Sequence, residues 1–490
     1  MELTIMSTFE DTRVPESTGA NPLRWKALSI LALVQFIIYL DATIVNVALP
    51  TIRKELGFTS DGLIWVVNCY LIAAGGLLLL GGRLADRIGR RRVFCVGSAA
   101  FAIASLIAGL AVNPGMLLTG RVIQGVAEAL AAPAGLAIVA LLFNDPKERA
   151  KAFGVWAGLS GLGACAGVLL SGVFTGLLTW RLIFLINIPL AVVPLLTLPK
   201  ILEESRMPQA DRRIDWAGAA LITGGLFAVI YGLLTAVHQS WSAVGVWAPL
   251  VGGLAALAVA LVVEANAAEP LLPLRFFRNR IRLTANGVTA IIGGVSAAVF
   301  FMVVLYAQDV LGYTPLRSGL AWVPFCLAFM GGLFGSMRII MRFGPRPAMS
   351  LGLLIAAAGL LLLAQLPVNG SFWAHLLPAT VLVAIGFGMT NPAMQQASMH
   401  GVAEMDAGLG SGVLTTLLQL SGALGLTVFV PIALREQSAS VAGGANAVEA
   451  AVSGFTSAFQ VGSIVLLAGS AAVLFLLRGI PSPARTRHSG

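Results

Sequence analysis

Residues 26–49 read KALSILALVQFIIYLDATIVNVAL, and only Lys26, at the edge, and Asp41, deep inside, carry charge. A helix of this length, rising about 1.5 Å per residue, is long enough to cross the roughly 30 Å hydrocarbon layer of a bilayer. The stretch is therefore read as a membrane span. Asp41 is its exception: ionisable groups at membrane depth are costly, and they mark pathways for ions and substrates.

Outward from this stretch the pattern repeats. Apolar runs of spanning length lie at 62–81, 92–112, 115–142, 152–175, 181–199, 214–237, 244–264, 284–306, 315–337, 348–366, 373–394, 407–433 and 455–477, giving fourteen spans with the first. Of the 490 residues 58% are hydrophobic and only 11% charged, against about 25% charged in a soluble domain. The predicted fold class is an all-α polytopic membrane protein. Connections are short and leave no room for a soluble domain. The net charge of +9 does not indicate a nucleic-acid partner, because the Lys and Arg residues form short clusters between apolar runs and no long basic face.

Those clusters set the expected orientation. With an even number of spans, 25 Lys and Arg residues fall on the side of the termini, and five (Arg53, Lys54, Arg181, Arg317 and Arg435) fall on the other. By the positive-inside rule both termini are expected in the cytoplasm. Residues 1–25 and 478–490 are expected to be cytoplasmic tails, 26–200 an N-terminal six-helix bundle, 201–283 two inserted helices with linkers, and 284–477 a C-terminal six-helix bundle. A faint repeat supports the division: RIGR at 87–90 follows the second span, and RFGP at 342–345 holds the like place in the later half. Trp25, Trp65, Trp180, Trp241 and Trp373 fall near span ends, where aromatic rings favour the interface.

Three charges are assigned to the membrane interior: Asp41, Arg121 and Glu128. Asp41 lies roughly 21 Å in from one side and Arg121 roughly 9 Å in from the other; in a core of about 30 Å they share a level. An Asp41–Arg121 ion pair would relieve the cost of burying either alone. It serves either to tie helices together or to carry protons. Arg121, Gln124, Gly125, Glu128, Ala132 and Gly135 recur at spacings of three and four, so they share one helix face that should look into the bundle. Asn46 and Gln124, with Glu128, are the expected polar lining of a substrate cavity; Asn68 and Gln419 are read as hydrogen-bonding glue between helices.

Other energy sources lack their parts. No GxxxxGK[ST] loop is present, so no nucleotide is expected. No cofactor and no metal are expected either. Cys69, Cys95, Cys165 and Cys326 lie singly in apolar runs and read as small packing residues. The expectation is a gradient-driven transporter.

Several strings carry a specific resemblance. LDATIVNVALP (40–50), GRLADRIGRR (82–91), Arg121 with Gln124, Gly125 and Pro133, WRLIFLINIP (180–189), DWAG (215–218), LGYTP (311–315) and the glycine-rich run 408–425 together resemble the fourteen-span drug:proton antiporter branch of the major facilitator superfamily. The resemblance covers nearly the whole chain. It implies two six-helix bundles with two inserted helices, export of small amphipathic or cationic compounds such as drugs or antibiotics, protons as the coupling ion, and a multi-pass place in lipid, expected to be the bacterial cytoplasmic membrane. It also implies a proton-transfer role for Arg121, and a conformational gate at Gly82, Asp86, Arg87, Gly89 and Arg90. Gly82 and Gly89 are expected to permit a tight turn, with Asp86 accepting hydrogen bonds from helix N-terminal amides or arginines.

Two departures are visible. The branch's fifth-helix motif, roughly Gly-Pro-x-x-Gly-Gly, is here GVLLSG at 167–172, with Val168 for proline and Ser171 for a glycine. Gly163, Gly167 and Gly172 remain as close-packing positions. Glu128 stands where the branch usually has a small residue. A dedicated exporter of one endogenous metabolite, or a lipid flippase, would carry the same signals, and the sequence leaves both open.

Overall fold

The structure is a computed structural model; it describes residues 23–59, 62–143, 145–206, 215–237, 239–266, 274–402 and 407–477. Of the expected tails 1–25 and 478–490, residues 1–22 and 478–490 lie outside the described residues, and Arg24 and Trp25 already belong to the first helix. Among the described residues fourteen helices are long and apolar enough to cross a membrane: α1 Arg24–Leu56, α2 Ile64–Ile88, α3 Arg90–Gly109, α4 Pro114–Leu142, α5 Lys147–Leu177, α6 Leu182–Ile201, α7 Trp216–Thr235, α8 Val244–Asn266, α9 Arg280–Val310, α10 Pro315–Phe343, α11 Pro345–Leu363, α12 Phe372–Ser398, α13 Gly410–Ala442 and α14 Ala447–Leu476. Every span read from hydropathy has its helix. Several helices run past the apolar stretch. α1 continues through Pro50 to a left-handed cap at Gly57, and α14 begins eight residues early at a capping box of Asn446 and Glu449. Hydropathy marks the length that lipid covers, whereas a helix continues until a cap ends it.

Within the first six helices, α1 packs on α5, α2 and α3 on α4, and α6 on α3 and α1. Within the last six, α9 packs on α13 and α14, α11 on α12 and α14, and α12 on α10. The inserted α7 and α8 pack on each other, and α7 also rests on α2 and α13. Val251, Leu254, Val259, Leu261 and Val262 of α8 are all exposed, as expected of a face turned to lipid.

The repeat seen in the sequence has a backbone counterpart. Gly89 is the single residue between α2 and α3, with φ +127°, and Gly344 is the single residue between α10 and α11, with φ +84°. A side chain at either would be strained. Gly82 behaves otherwise: it lies inside α2, where a Cβ would sit 3.6 Å from Pro133 of α4. The expected turn therefore rests on Gly89 alone, because the helix carries on through Arg83, Asp86 and Arg87.

The two sets of six meet closely at the side away from the described ends of the chain. Arg53 of α1 pairs with Asp309 of α9 at 3.0 Å, and Gln308 donates to the Val47 carbonyl at 2.8 Å. On α5, a Cβ at Gly172 would lie 2.9 Å from the Pro315 carbonyl and 3.0 Å from the Gly319 Cα of α10. Toward the other side the helices part: on the same face of α5, a Cβ at Gly161, Gly158 or Gly154 meets nothing within 4 Å. Between α5 and α10 a cleft therefore opens toward the side on which α1 begins, while α2 and α13 stay in contact, a Cβ at Gly412 meeting Leu79 at 2.9 Å.

Candidate functional site

Small residues bring α4 against its neighbours. A Cβ at Gly120 would meet Ala108 of α3 at 2.9 Å, and one at Gly125 would meet the Tyr70 carbonyl of α2 at 2.5 Å. This closeness lets Arg121 reach three elements. Its Nε donates to the Val66 carbonyl at 2.9 Å, and its Nη1 donates to Asp41 Oδ2 at 2.5 Å and to Gln124 Oε1 at 2.9 Å. The guanidinium carbon lies 4.2 Å from the centre of the Tyr70 ring, a favourable stacking for a desolvated cation. Asp41 and Arg121, placed at one level by rise per residue alone, are thus in contact.

The second oxygen of Asp41 is also held. Oδ1 accepts from Gln124 Nε2 at 2.9 Å and from Asn187 Nδ2 at 2.8 Å, and Gln124 Nε2 also donates to Ser105 Oγ at 3.0 Å. All five side chains, those of Asp41, Arg121, Gln124, Asn187 and Ser105, are 0% exposed. The result is a neutral buried cluster from α1, α3, α4 and α6, in which every carboxylate oxygen is satisfied. Arg121 Nη2 and Asn187 Oδ1 have no hydrogen-bond partner among the described residues, so the cluster can still take a further acceptor and donor.

Glu128 lies two turns further along α4 and is 3% exposed. Its Oε1 accepts from Gln419 Nε2 of α13 at 2.8 Å, a bond between the two sets of six helices. Its Oε2 and the buried Tyr70 hydroxyl lie against each other without forming a well-made hydrogen bond, and neither has another partner among the described residues. No cation pairs with Glu128 among the described ion pairs. An unpaired carboxylate at depth is costly, and a proton or a cationic group on Oε2 would relieve that cost.

The remaining predicted residues are more dispersed. Gln124 is fully engaged in the ion-pair cluster. Asn46 donates back to the carbonyls of Ala42 and Thr43 in its own helix, at 3.3 and 3.2 Å. Asn68 donates to Thr427 of α13 at 3.0 Å, as expected of interhelical glue. Gly163 and Gly167 allow α5 to approach α1, where a Cβ would meet the Phe36 and Leu40 carbonyls at 2.5 Å. Trp180 is 1% exposed and donates to Glu55 at 2.8 Å, so this ring packs inside the protein and does not face lipid. Within the expected gate, Asp86 takes two bonds from Arg90, at 2.9 and 2.7 Å, while the Arg87 side chain is exposed.

Two functional candidates escaped sequence reasoning. Asn187 was one amide in a quoted string; its signal was a polar residue two positions before Pro189 in an apolar run. It opens the second part of α6, which breaks after Leu185. Glu204, beyond the end of α6, caps the start of α3. Its oxygens accept from the backbone amides of Arg91 and Arg92, each at 3.1 Å, and lie 3.7 Å from both Arg side chains. It takes the amide-capping part that the sequence assigned to Asp86. Glu204→Ala should therefore lower stability by about 1–2 kcal/mol, read as a fall in the unfolding midpoint of the purified protein, whereas Asp86→Ala should cost less.

Comparison with known proteins fits this architecture. The sequence profile of the Major Facilitator Superfamily matches residues 31–426. The chain is 37% identical to the puromycin resistance protein pur8 of Streptomyces alboniger over 469 residues, covering 93% of this chain and 92% of that protein. It is 35% identical to the lincomycin resistance protein of Streptomyces lincolnensis, covering 96% and 95%, and 35% identical to the cephamycin export protein CmcT of Amycolatopsis lactamdurans, covering 83% and 84%. Among solved structures, a bacterial homolog of the human lysosomal transporter Spinster aligns with a TM-score of 0.63 at 17% identity, covering 94% of this chain and 98% of that one. The human organic anion transporter MFSD10 aligns with a TM-score of 0.60 at 16% identity, covering 92% and 100%. By helix count, by the motifs it carries and by these matches, the chain belongs to the Major Facilitator Superfamily of multi-pass membrane transporters.

Proposed function

We propose that this transporter exports amphipathic organic compounds, of the drug or antibiotic kind, in exchange for protons. The single observation that carries the reading is the pair of buried carboxylates met by one face of α4: Asp41 of α1 ion-paired with Arg121, and Glu128, two turns along the same face from Arg121, with no cation partner among the described ion pairs. The names of the relatives, three of them resistance or export proteins for antibiotics, support efflux. In this reading residues 26–200 and 284–477 are the two moving halves, 201–283 carries the inserted pair, and both termini are cytoplasmic. The cleft then faces the cytoplasm, and the Arg53–Asp309 and Gly172–Gly319 contacts seal the outside. A proton arriving from outside would weaken the Asp41–Arg121 bond and free the guanidinium. Glu128 would receive the cationic part of a substrate entering from the cleft, and loss of its bond to Gln419 would release one half from the other. Such switching by charge neutralisation at a packed interface is a general route to two-state motion.

The test uses inverted membrane vesicles and a fluorescent amphipathic cation such as ethidium. An imposed gradient, acid inside, should drive accumulation that stops when an ionophore collapses the gradient. Accumulation indifferent to the gradient would remove the coupling from the account. Glu128→Gln should reduce transport of cationic compounds by about tenfold or more, the factor that corresponds to some 1.4 kcal/mol, and leave neutral compounds nearly unchanged. Equal losses for both would return Glu128 to a packing role.

A further inference from the structure

The cysteines, read singly from the sequence, are not all single in the fold. Cys165 of α5 and Cys326 of α10 are both free and half-buried, and their thiols meet across the interface between the two sets of six helices. The helix register explains the meeting. α5 and α10 run antiparallel and cross where Gly172 touches Gly319. Cys165 lies seven residues before Gly172 and Cys326 seven residues after Gly319, so both are two turns, roughly 10 Å, from the crossing in the same direction. Glycine at the crossing brings the two backbones together, and two turns further on the Cys165 and Cys326 thiols still reach each other. Beyond Cys165 the same face of α5 continues through Gly161, Gly158 and Gly154, which meet nothing within 4 Å. The pair therefore stands at the apex of the cleft, at the last contact before the helices part.

We propose that Cys165 and Cys326 form an oxidation site, whose disulfide locks the two halves of the transporter together at the closed side. The oxidant is a hydroperoxide that reaches the pair through the cleft. One cysteine sulfur attacks the peroxide, the O–O bond breaks, and a sulfenic acid and one water (or an alcohol) form. The second sulfur then displaces the sulfenic hydroxyl, which leaves as water with the second thiol's proton, and the S–S bond closes. The two thiols lose two electrons in all, and the peroxide gains them. A bond joining α5 to α10 at this level forbids the separation that opening toward the sealed side demands, and a dithiol reductant restores motion.

The experiment treats membranes holding the full chain with hydrogen peroxide, blocks free thiols with an alkylating agent, and measures the Cys165–Cys326 linked peptide by mass spectrometry. The expected result is a linked peptide that dithiothreitol removes, a higher unfolding midpoint for the purified oxidised protein, and loss of ethidium movement that dithiothreitol restores. Cys165→Ser and Cys326→Ser should move ethidium at the untreated rate and ignore peroxide. Free or separately oxidised cysteines with no link overturn the site, and a link that leaves movement unchanged overturns the lock. The linked peptide and the midpoint are read on the protein alone. A protein that links and shifts its midpoint but never moves ethidium therefore supports the site and counts against the proposed substrate class.

Discussion

Arg121→Ala is expected to abolish transport and to destabilise the folded protein by about 3–5 kcal/mol, the usual cost of removing one partner from a buried ion pair. The reason is specific to this cluster. Arg121 alone satisfies Asp41 Oδ2 and anchors the Val66 carbonyl and Gln124, all at 0% exposure for the pair. Its loss leaves a carboxylate in hydrocarbon with only two amide donors, from Gln124 and Asn187. Arg121→Lys should rescue little of this. A lysine ammonium is a compact point donor and cannot place separate N–H groups on α1, α2 and α4 at once, whereas the planar guanidinium does so by its fixed fork. Unfolding midpoints in detergent and gradient-driven uptake check both variants; wild-type stability in Arg121→Ala would show that the cluster carries no net stabilisation.

The second large effect is conformational. Gly172→Leu should unseat the closed side. The added side chain would meet backbone atoms, the Pro315 carbonyl at 2.9 Å and the Gly319 Cα at 3.0 Å, and backbone cannot swing aside as a flexible side chain can. Overpacking of this kind costs about 1–3 kcal/mol, charged here to one conformation only, so the population should move roughly 5- to 150-fold toward the state open on that side. Spin labels at Leu178 and Val441, both exposed at that side and in different halves, should gain a longer distance component in pulsed dipolar spectra, and turnover should fall. An unchanged distance distribution would mean that α5 and α10 do not form the seal.

Much of this molecule was readable before its coordinates, and for a physical reason. Lipid imposes one requirement on every span, about 20 apolar residues in a helix, so fourteen helices could be counted. The same regular rise placed Asp41 and Arg121 at one depth. Residues whose roles depend on which helix meets which were not readable. Asn187 became a ligand of Asp41 only because α6 breaks after Leu185 and leans on α1 and α3. Glu204 sits near Arg91 only because the chain after α6 returns to the start of α3. Gly82 carried a motif's expectation of a turn, but the helix signal around it prevailed. Cys165 and Cys326 looked inert one at a time, since nothing local in a sequence records the crossing of α5 and α10. Val168 and Ser171, the departures from the fifth-helix motif, are buried near that crossing at 2% and 0% exposure. Without proline there, α5 keeps its helix from Pro146 to Leu177 unbroken.

Asp41→Asn bears most directly on the central claim, that a buried carboxylate paired with Arg121 couples protons to export. The measurement is ethidium accumulation by inverted vesicles under an imposed acid-inside gradient, with the variant's membrane content matched to wild type. The amide keeps the size and the hydrogen-bonding reach of Asp41 but cannot exchange a proton. The account predicts that gradient-driven accumulation falls to the level of vesicles without the protein, while passive, downhill movement of the dye persists. Accumulation at the wild-type rate, still driven by the gradient, would contradict it.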